Sequence, residues 1–369
     1  MNIPQGYKQT ELGIIPEDWE VKPIGECLSI GNGCDYKDKP FGNIPVYGTG
    51  GVITYINDYL YDGQTICIGR KGTINKPLYY EGKIWTVDTL YYTYNFIDVD
   101  VKYIYYLLLT IDWMSLNEAT GVPSLTSDRI RHILLALPPV AEQRAIAEAL
   151  SDIDGLIAAL DKKIAKKRLI KQGAMRQLLT GKKRLPGFSG PWMERKLGAI
   201  SHIKTGSCNG DQAVDNGKYP FFVRSQKVYA IDSYSYDGEA ILVPGEGGIG
   251  SIFHYINGKF DYHQRVYKIS DFADNVCGKY IFFYMSRYFG EYALSLTVKA
   301  TVDSLRLPTF EEFVICMPLN IEEQQAIATI LNDMDKEIDD LEAQRDKYRL
   351  LKSGMMQKLL TGQIRLKIK

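Results

Sequence analysis

"MRQLLTG" at residues 175–181 returns as "MQKLLTG" at 356–362, and what separates the two decides how this chain is built. Laid over each other without a gap, residues 142–181 and 323–362 agree at 20 of 40 positions. Glu142/Glu323, Gln143/Gln324, Asp152/Asp333, Asp154/Asp335, Arg168/Arg349 and Gly173/Gly354 are among them. The correspondence extends upstream. Leu12 and Trp19 match Leu185 and Trp192, "YDG" at 61–63 matches 236–238, and "YIYYLL" at 103–108 matches "YIFFYM" at 280–285. The offset grows only from 173 to 181. One unit is therefore written twice, each copy a globular part followed by a helix.

The helical parts carry a coiled-coil period. Ile146, Leu150, Ile153, Ile157, Leu160 and Ile164 step alternately by four and three, as do Ile327, Leu331, Met334, Ile338 and Leu341. Spacing that averages 3.5 keeps one apolar stripe facing a partner helix. Arg345 interrupts the second stripe and Tyr348 resumes it. Asn320 and Glu323 suit a capping box, and Gly181 and Gly362 suit helix stops. About 40 residues give rods of roughly 60 Å. Two rods in one chain, each after a globular part, most simply pair antiparallel, with the globular parts at opposite ends; the alternatives are that each rod packs only on its own domain or pairs with another chain. Leu178, Leu179, Leu359 and Leu360 at the rod ends would pack on the opposite globular part or on a partner protein, and the sequence does not separate these options.

The globular parts read as strand-rich α+β. "GQTICIGR", "KIWTVDTLYYTY", "EAILVPG" and "RVYKIS" suit strands. "VKYIYYLLLTIDWMSLN" and "GKYIFFYMSRYFGEYAL" suit one amphipathic helix each. The 26 tyrosines suit cores and half-buried sheet faces better than base stacking. The expected segments are a first globular domain at 1–138, a long helix at 139–181, a second globular domain at 182–318, and a second helix with a tail at 319–369.

With 44 basic and 44 acidic residues cancelling, charge by itself argues only weakly against a protein that holds DNA through bulk charge. Residues 1–138 carry 11 basic and 16 acidic residues, and 182–318 carry 16 and 14. Any nucleic-acid contact must then come from local loops or be shared with a partner. Six cysteines without a CxxC pair suit buried or partly buried free thiols in a reducing cytoplasm. Four histidines show no metal-ligand spacing, so no metal site is expected. No apolar run reaches the length of a membrane span, and "MNIPQGYKQTELG" has no apolar signal core, so neither membrane nor export is expected.

The helices share half their residues, while the globular parts share scattered anchors. Two helices kept alike suggest two copies of one partner, and two domains free to differ suggest two different targets. In this setting the chain resembles the specificity subunits of type I restriction–modification enzymes. The resemblance is carried by "GIIPEDWEVKPIGE" (13–26) and its echo "GFSGPWMERKLGAI" (187–200), and by "LPPVAEQRAIAEALSDID" (137–154) and its echo "MPLNIEEQQAIATILNDMD" (317–335). The two "LLTG" helix ends complete it, and it covers essentially the whole chain. It implies two target recognition domains, each reading one half of a split, asymmetric double-stranded DNA site. It implies two long antiparallel helices acting as a ruler, two docked adenine-methyltransferase subunits, and motor–nuclease restriction subunits added through them. S-adenosylmethionine, ATP and magnesium would then sit on those partners, with no cofactor and no catalytic residue in this chain.

Catalytic signatures are missing. The one Pro-Pro, in "LPPV", opens a helix, and no phosphate-loop motif occurs. "GEGGIG" at 245–250 fits a dinucleotide fingerprint, but "SIFHYINGKFDYH" after it alternates like a strand. With its counterpart "GRKGTI" (69–74) it reads as a DNA-facing loop or a plain turn. Candidate DNA contacts are Thr49, Arg70, Lys71, Lys76, Lys204, Thr205, Arg224, Ser225, Gln226, Lys227 and Glu246. Arg can fork onto guanine and Gln onto adenine, whereas Lys suits phosphate. Each is otherwise a solvated surface residue. Lys204 and Thr205 are expected in a turn. Lys162, Lys163, Lys166, Lys167 and Arg168 form a basic run on the first helix, either a solvated face or a contact to partner or DNA backbone. Alternatives to the family function are a related two-component modification and cleavage system, an unaided DNA-modifying or DNA-cutting enzyme, and a coiled-coil protein-binding scaffold.

Overall fold

A computed structural model describes residues 3–248, 250–296 and 304–366. Ile249 of "GEGGIG" and tail residues 367–369 lie outside the described residues. The chain divides into two compact units, Met1–Leu160 with Gln344–Lys369, and Asp161–Ala343. Each unit thus holds one globular part, the beginning of its own long helix and the end of the other.

In the first unit the sheet is built from β1 (Ser29–Asn32), β2 (Phe41–Gly48), β3 (Gly51–Ile56), β4 (Tyr61–Gly69), β5 (Leu78–Thr86) and β6 (Leu90–Tyr94). It is followed by α1 (Val101–Leu108) and the start of α2 (Val140–Leu178). In the second unit β7 (His202–Thr205), β8 (Tyr219–Phe222), β9 (Val228–Ile231), β10 (Tyr236–Pro244), β11 (His254–Tyr262) and β12 (Val266–Ser270) precede α3 (Gly278–Leu296) and α4 (Ile321–Leu359). The strand orders are β1-β6-β4-β5-β2-β3 and β7-β12-β10-β11-β8-β9, the same topology twice. The pairs β2·β5 and β8·β11 are parallel and the others antiparallel. Beside each sheet a two-stranded ribbon joins the start of the domain to its end: Glu20–Pro23 with Leu134–Leu137, and Trp192–Lys196 with Val314–Pro318.

The repeated "YDG" marks a backbone requirement. Gly63 (φ +144°) faces Gly82 (φ +112°) across β4·β5, and Gly238 (φ +152°) faces Gly258 (φ +143°) across β10·β11. Only glycine adopts this mirror-image extended backbone without strain.

The hydrophobic cores show where the helices belong. In the first unit Ile66 and Ile68 of β4, Tyr103, Ile104 and Leu107 of α1 and Ile146 and Leu150 of α2 cluster with Leu359 and Leu360. In the second unit Ile241 and Val243, Tyr280, Phe283 and Phe289, and Ile327 and Leu331 cluster with Met175, Leu178 and Leu179. The rod-end leucines are therefore buried inside each unit, against the globular part of the other copy. Further along the stripes, Ile153, Ile164, Ile338 and Leu341 are buried, and Ile157, Leu160 and Met334 half-buried.

Four expectations change. The first amphipathic helix stops at Leu108, because the buried Trp113 indole N–H donates to the Leu108 carbonyl (2.9 Å) and Asp112 catches the amides of Met114 and Ser115. Its counterpart α3 runs for 19 residues. The capping box expected at the start of α4 does not close: Asn320 accepts from the Glu322 amide (2.7 Å), while Glu323 pairs with the distant Arg184. Lys204 and Thr205 are not in a turn: they end edge strand β7, paired with Lys268 and Tyr267 of β12. Cys34 is exposed rather than buried, because it lies in the open loop after β1.

Candidate nucleic-acid interface

The long helices are tied to the globular parts by one set of contacts, made twice. In the second unit Arg184, three residues past the helix-stopping Gly181, donates to both oxygens of Glu323 (2.6 and 2.7 Å). In the first unit Arg365, three past Gly362, donates to both oxygens of Glu142 (2.6 and 2.7 Å) and forks onto Asp18 (both 2.8 Å). Both glutamates are 1% exposed, so they need these partners. Each arginine also lies over a tryptophan, Arg184 over Trp192 and Arg365 over Trp19. Arg365 holds the Asp18 carboxyl below its ordinary range. Gln143 and Gln324 finish the junction: their side-chain oxygens accept from the amides of Asp100 and Cys277, and their amide groups donate to the carbonyls of Pro138 and Pro318.

A second repeated tie lies along the helices. Lys352 donates to Asp154 (2.6 Å) in the first unit, and Lys171 donates to Asp335 in the second. Lys167–Glu337 and Arg168–Glu342 accompany it. Within the second unit the partners of 167–171 lie at 335–342, and in the first Glu142 and Asp154 meet Arg365 and Lys352, so the helical segments run antiparallel in each. Two residues of the basic run, Lys167 and Arg168, are thereby engaged by α4 carboxylates, whereas Lys162, Lys163 and Lys166 are exposed.

At one end of each sheet three connections converge. In the first domain the β2–β3 turn brings Thr49 within reach of Gly72, where an added Cβ would lie 3.5 Å from Thr49 Oγ1. Arg70 is exposed, donates to the Asp88 carbonyl in the β5–β6 turn (3.4 Å), and lies over the Tyr91 ring. Lys71 is exposed and bridges to Ser124, and Lys76 is exposed further along the same connection. In the second domain the β8–β9 connection carries Arg224, Ser225, Gln226 and Lys227. Arg224 donates to Glu246 (3.3 Å), which also accepts from Arg265 (2.7 Å) in the β11–β12 turn. A cavity of about 280 Å³ lies beside them, lined by Gly210, Val223, Arg224, Ser225, Tyr229 and His263. Ser225 is held from two sides: its carbonyl meets His254 Nε2 (3.0 Å), and its hydroxyl donates to the Lys227 carbonyl. Lys227 lies over Tyr229.

The two glycine loops correspond through the same backbone bonds. Leu125 N–H donates to the Arg70 carbonyl, and Leu305 N–H to the Gly245 carbonyl. Lys71 bridges to Ser124 and Glu246 to Ser304. Lys71 and Glu246 therefore occupy the same place, one residue from the register that aligning "GRKGTI" with "GEGGIG" suggests. "GEGGIG" precedes β11 and not a helix, and Gly250 packs so closely on Gly290 of α3 that a Cβ there would lie 2.3 Å from its Cα. Glu246 accepts from two arginines, one on each carboxylate oxygen, and so holds both in place. Sequence reading missed Arg265, whose counterpart in the first copy is the uncharged Thr89: the Arg70 amide donates to the Thr89 carbonyl as the Gly245 amide does to that of Arg265. It also missed Arg184 and Arg365, although their signal was present: "RL" at 184–185 recurs at 365–366, just past the aligned window.

Comparison with known proteins agrees with this architecture. Residues 16–167 and 190–348 each match the family described as type I restriction modification DNA specificity domain. The chain belongs to that family. The MjaVIII specificity subunit of a type I restriction enzyme from Methanocaldococcus jannaschii is 25% identical, over 98% of this chain and 97% of its own length. The EcoDI specificity subunit from Escherichia coli is 37% identical over a shorter stretch, 21% of this chain and 17% of its own. The S subunit of a type I restriction–modification system from M. genitalium has the same fold, with a TM-score of 0.75 at 14% identity, over 97% of this chain and 98% of that one. As a specificity subunit the chain is the non-catalytic recognition component of its system. Among the described residues no helix is long and apolar enough to cross a membrane.

Proposed function

We propose that this specificity subunit reads a bipartite, asymmetric double-stranded DNA site, one half per globular domain, in the cytoplasm. The functional boundaries are those of the repeat: recognition domains at 1–138 and 182–318, and spacing helices at 139–181 and 319–369. The observation that carries the reading is the pair of equivalent loop clusters with different chemistry. Lys71 stands where Glu246 stands, and Thr49 lies in the turn equivalent to the one bearing Arg224. Equal frames with unequal side chains select different base sequences. Two methyltransferase subunits dock along the helices, and motor–nuclease subunits join through them. S-adenosylmethionine, ATP and magnesium belong to those partners.

Near-zero net charge predicts weak, salt-sensitive DNA binding by the chain alone and tight, specific binding in the complex. A map of methylated adenines in the source cell, with and without this gene, tests the reading. Loss of methylation at one split, asymmetric motif supports it, and an unchanged map in a cell whose methyltransferase is active counts against it. Arg70→Ala and Arg224→Ala are expected to relax different halves of that motif, each by about 1–3 kcal/mol if the arginine contacts a base.

A further inference from the structure

Four positions at the loop end of the second sheet differ from their counterparts in the first, although the backbone bonds that place them are the same. Val87 and His263 N–H donate to the Tyr47 and Phe222 carbonyls, so Thr49 and Arg224 each stand two residues past equivalent points. Leu90 and Val266 N–H donate to the Val87 and His263 carbonyls, and Arg70 and Gly245 N–H to the Thr89 and Arg265 carbonyls. The bridges of Lys71 and Glu246 complete the frame. Within it Thr49, Lys71, Val87 and Thr89 of the first copy are replaced in the second by Arg224, Glu246, His263 and Arg265. These four come from three separate connections and meet only in space. Glu246 Oε2 accepts from Arg224 Nη1 (3.3 Å), its Oε1 from Arg265 Nη1 (2.7 Å), and His263 Nδ1 from the Arg265 amide (2.9 Å).

Glu246 lies beneath the arginines: its side chain is 22% exposed, against 50% for Arg224 and 58% for Arg265. Both arginines are fixed at two ends. Their heads share Glu246, His263 holds the Arg265 main chain, and His254 holds the carbonyl of Ser225 beside Arg224 (3.0 Å). An arginine already held in place loses less side-chain freedom on contact. Among the described residues no other partner engages either guanidinium, so the Nε–Nη2 edge of each is left to fork. A guanidinium only donates, and guanine is the base with two acceptors, N7 and O6, on its major-groove edge. Adenine and cytosine present a donor there, and thymine a single acceptor. A phosphate would meet the Glu246 carboxylate behind the guanidiniums and be repelled, whereas a neutral base edge would not. One carboxylate anchors both forks, which suits them to neighbouring base pairs, stacked about 3.4 Å apart. We infer that Arg224 and Arg265 read two guanines, one each, at neighbouring base pairs of the half-site bound by the second domain, with Glu246 positioning both. This deepens the DNA reading proposed above and rests on it.

The test uses the chain assembled with its methyltransferase and duplexes carrying each single base-pair change in the split site found by the methylation map. Arg224→Ala and Arg265→Ala should each abolish the preference at a different guanine, by about 5- to 150-fold, and leave the other half-site as selective as before. That unaltered half reports in the same molecule that the variant is folded. Glu246→Gln offers one acceptor where two are needed, so preference should fall at both guanines. Binding to unrelated DNA should meanwhile tighten, because a negative charge is gone; a residue that only braced the loop would weaken both. If Arg265→Ala weakens every duplex alike and lowers the salt slope by about one, Arg265 holds phosphate and the inference falls while the split-site reading stands. Loss of preference at a base pair without guanine, or full preference retained in Glu246→Gln, overturns it too. If wild type selects no split site, the underlying reading falls and the inference with it.

Discussion

Arg365 shows what a single side chain does here. It neutralises Glu142, which is 1% exposed, and reaches Asp18 at the rim. Arg365→Met leaves a buried carboxylate without its cation. The guanidinium is itself 37% exposed, so the loss is discounted from that of a fully buried pair, to about 2 kcal/mol in urea unfolding. Adding Glu142→Gln should restore most of it, because the amide oxygen still accepts from the Trp19 indole and needs no counter-charge. No restoration would mean that Arg365 acts through packing alone. His254 and His263 give a second prediction. Burial lowers both ring pKa values below the ordinary 6.5, and Arg224 and Arg265 push His263 further in the same direction. The unfolded chain then takes up protons first as pH falls. Stability is therefore full above about 6.5 and declines below it, levelling off beneath the folded values. His254→Gln with His263→Gln should reduce the difference in urea midpoint between about pH 7.5 and 5.5, and an unaltered difference would assign the decline to other groups.

At the scale of elements, the helix ends were legible and the helix seats were not. The repeated "LLTG" announces a stop, and Gly181 and Gly362 adopt left-handed backbone at φ +67° and +69°. The sequence does not show what each stop rests on. A Cβ at Gly181 would lie 3.2 Å from the Trp192 ring, and one at Gly362 would lie 2.4 Å from Pro16 Cδ. Gly181→Ala should thus cost about 1 kcal/mol for backbone strain, and Gly362→Ala about 3 kcal/mol with the added clash, read by urea unfolding. Equal costs would show that Pro16 yields. The strands were legible because alternating runs lie between turn residues. The convergence of Arg224, Glu246 and Arg265 was not, since it depends on strand order and no local period encodes that. Glu323 misled for a related reason: three residues after Asn320 it fits a local cap, and a distant arginine outcompetes that role.

At the scale of the whole molecule, each copy of the repeat contains both halves of every tie that is made twice. The first copy has Glu142 and Arg184, Asp154 and Lys171, Trp19 and Gly181, and the leucines at 178–179. In the full chain these partners are satisfied by the other copy: Glu142 by Arg365, Asp154 by Lys352, and the core around Tyr103 and Leu150 by Leu359 and Leu360. A chain of residues 1–190 alone would expose Leu178 and Leu179 and leave Glu142 unpaired, unless a second copy supplied the missing ends. Two copies related by a two-fold axis do so reciprocally, because the contact that closes one also closes the other. Residues 1–190 are therefore expected to form a dimer, with twice the chain mass by light scattering at micromolar concentration. Arg184→Met should raise its dissociation constant, whereas exposed Lys162→Ala should leave it unchanged. A folded monomer would refute the reciprocal closure, since the helix end would then have to fold back on its own domain or be dispensable to it.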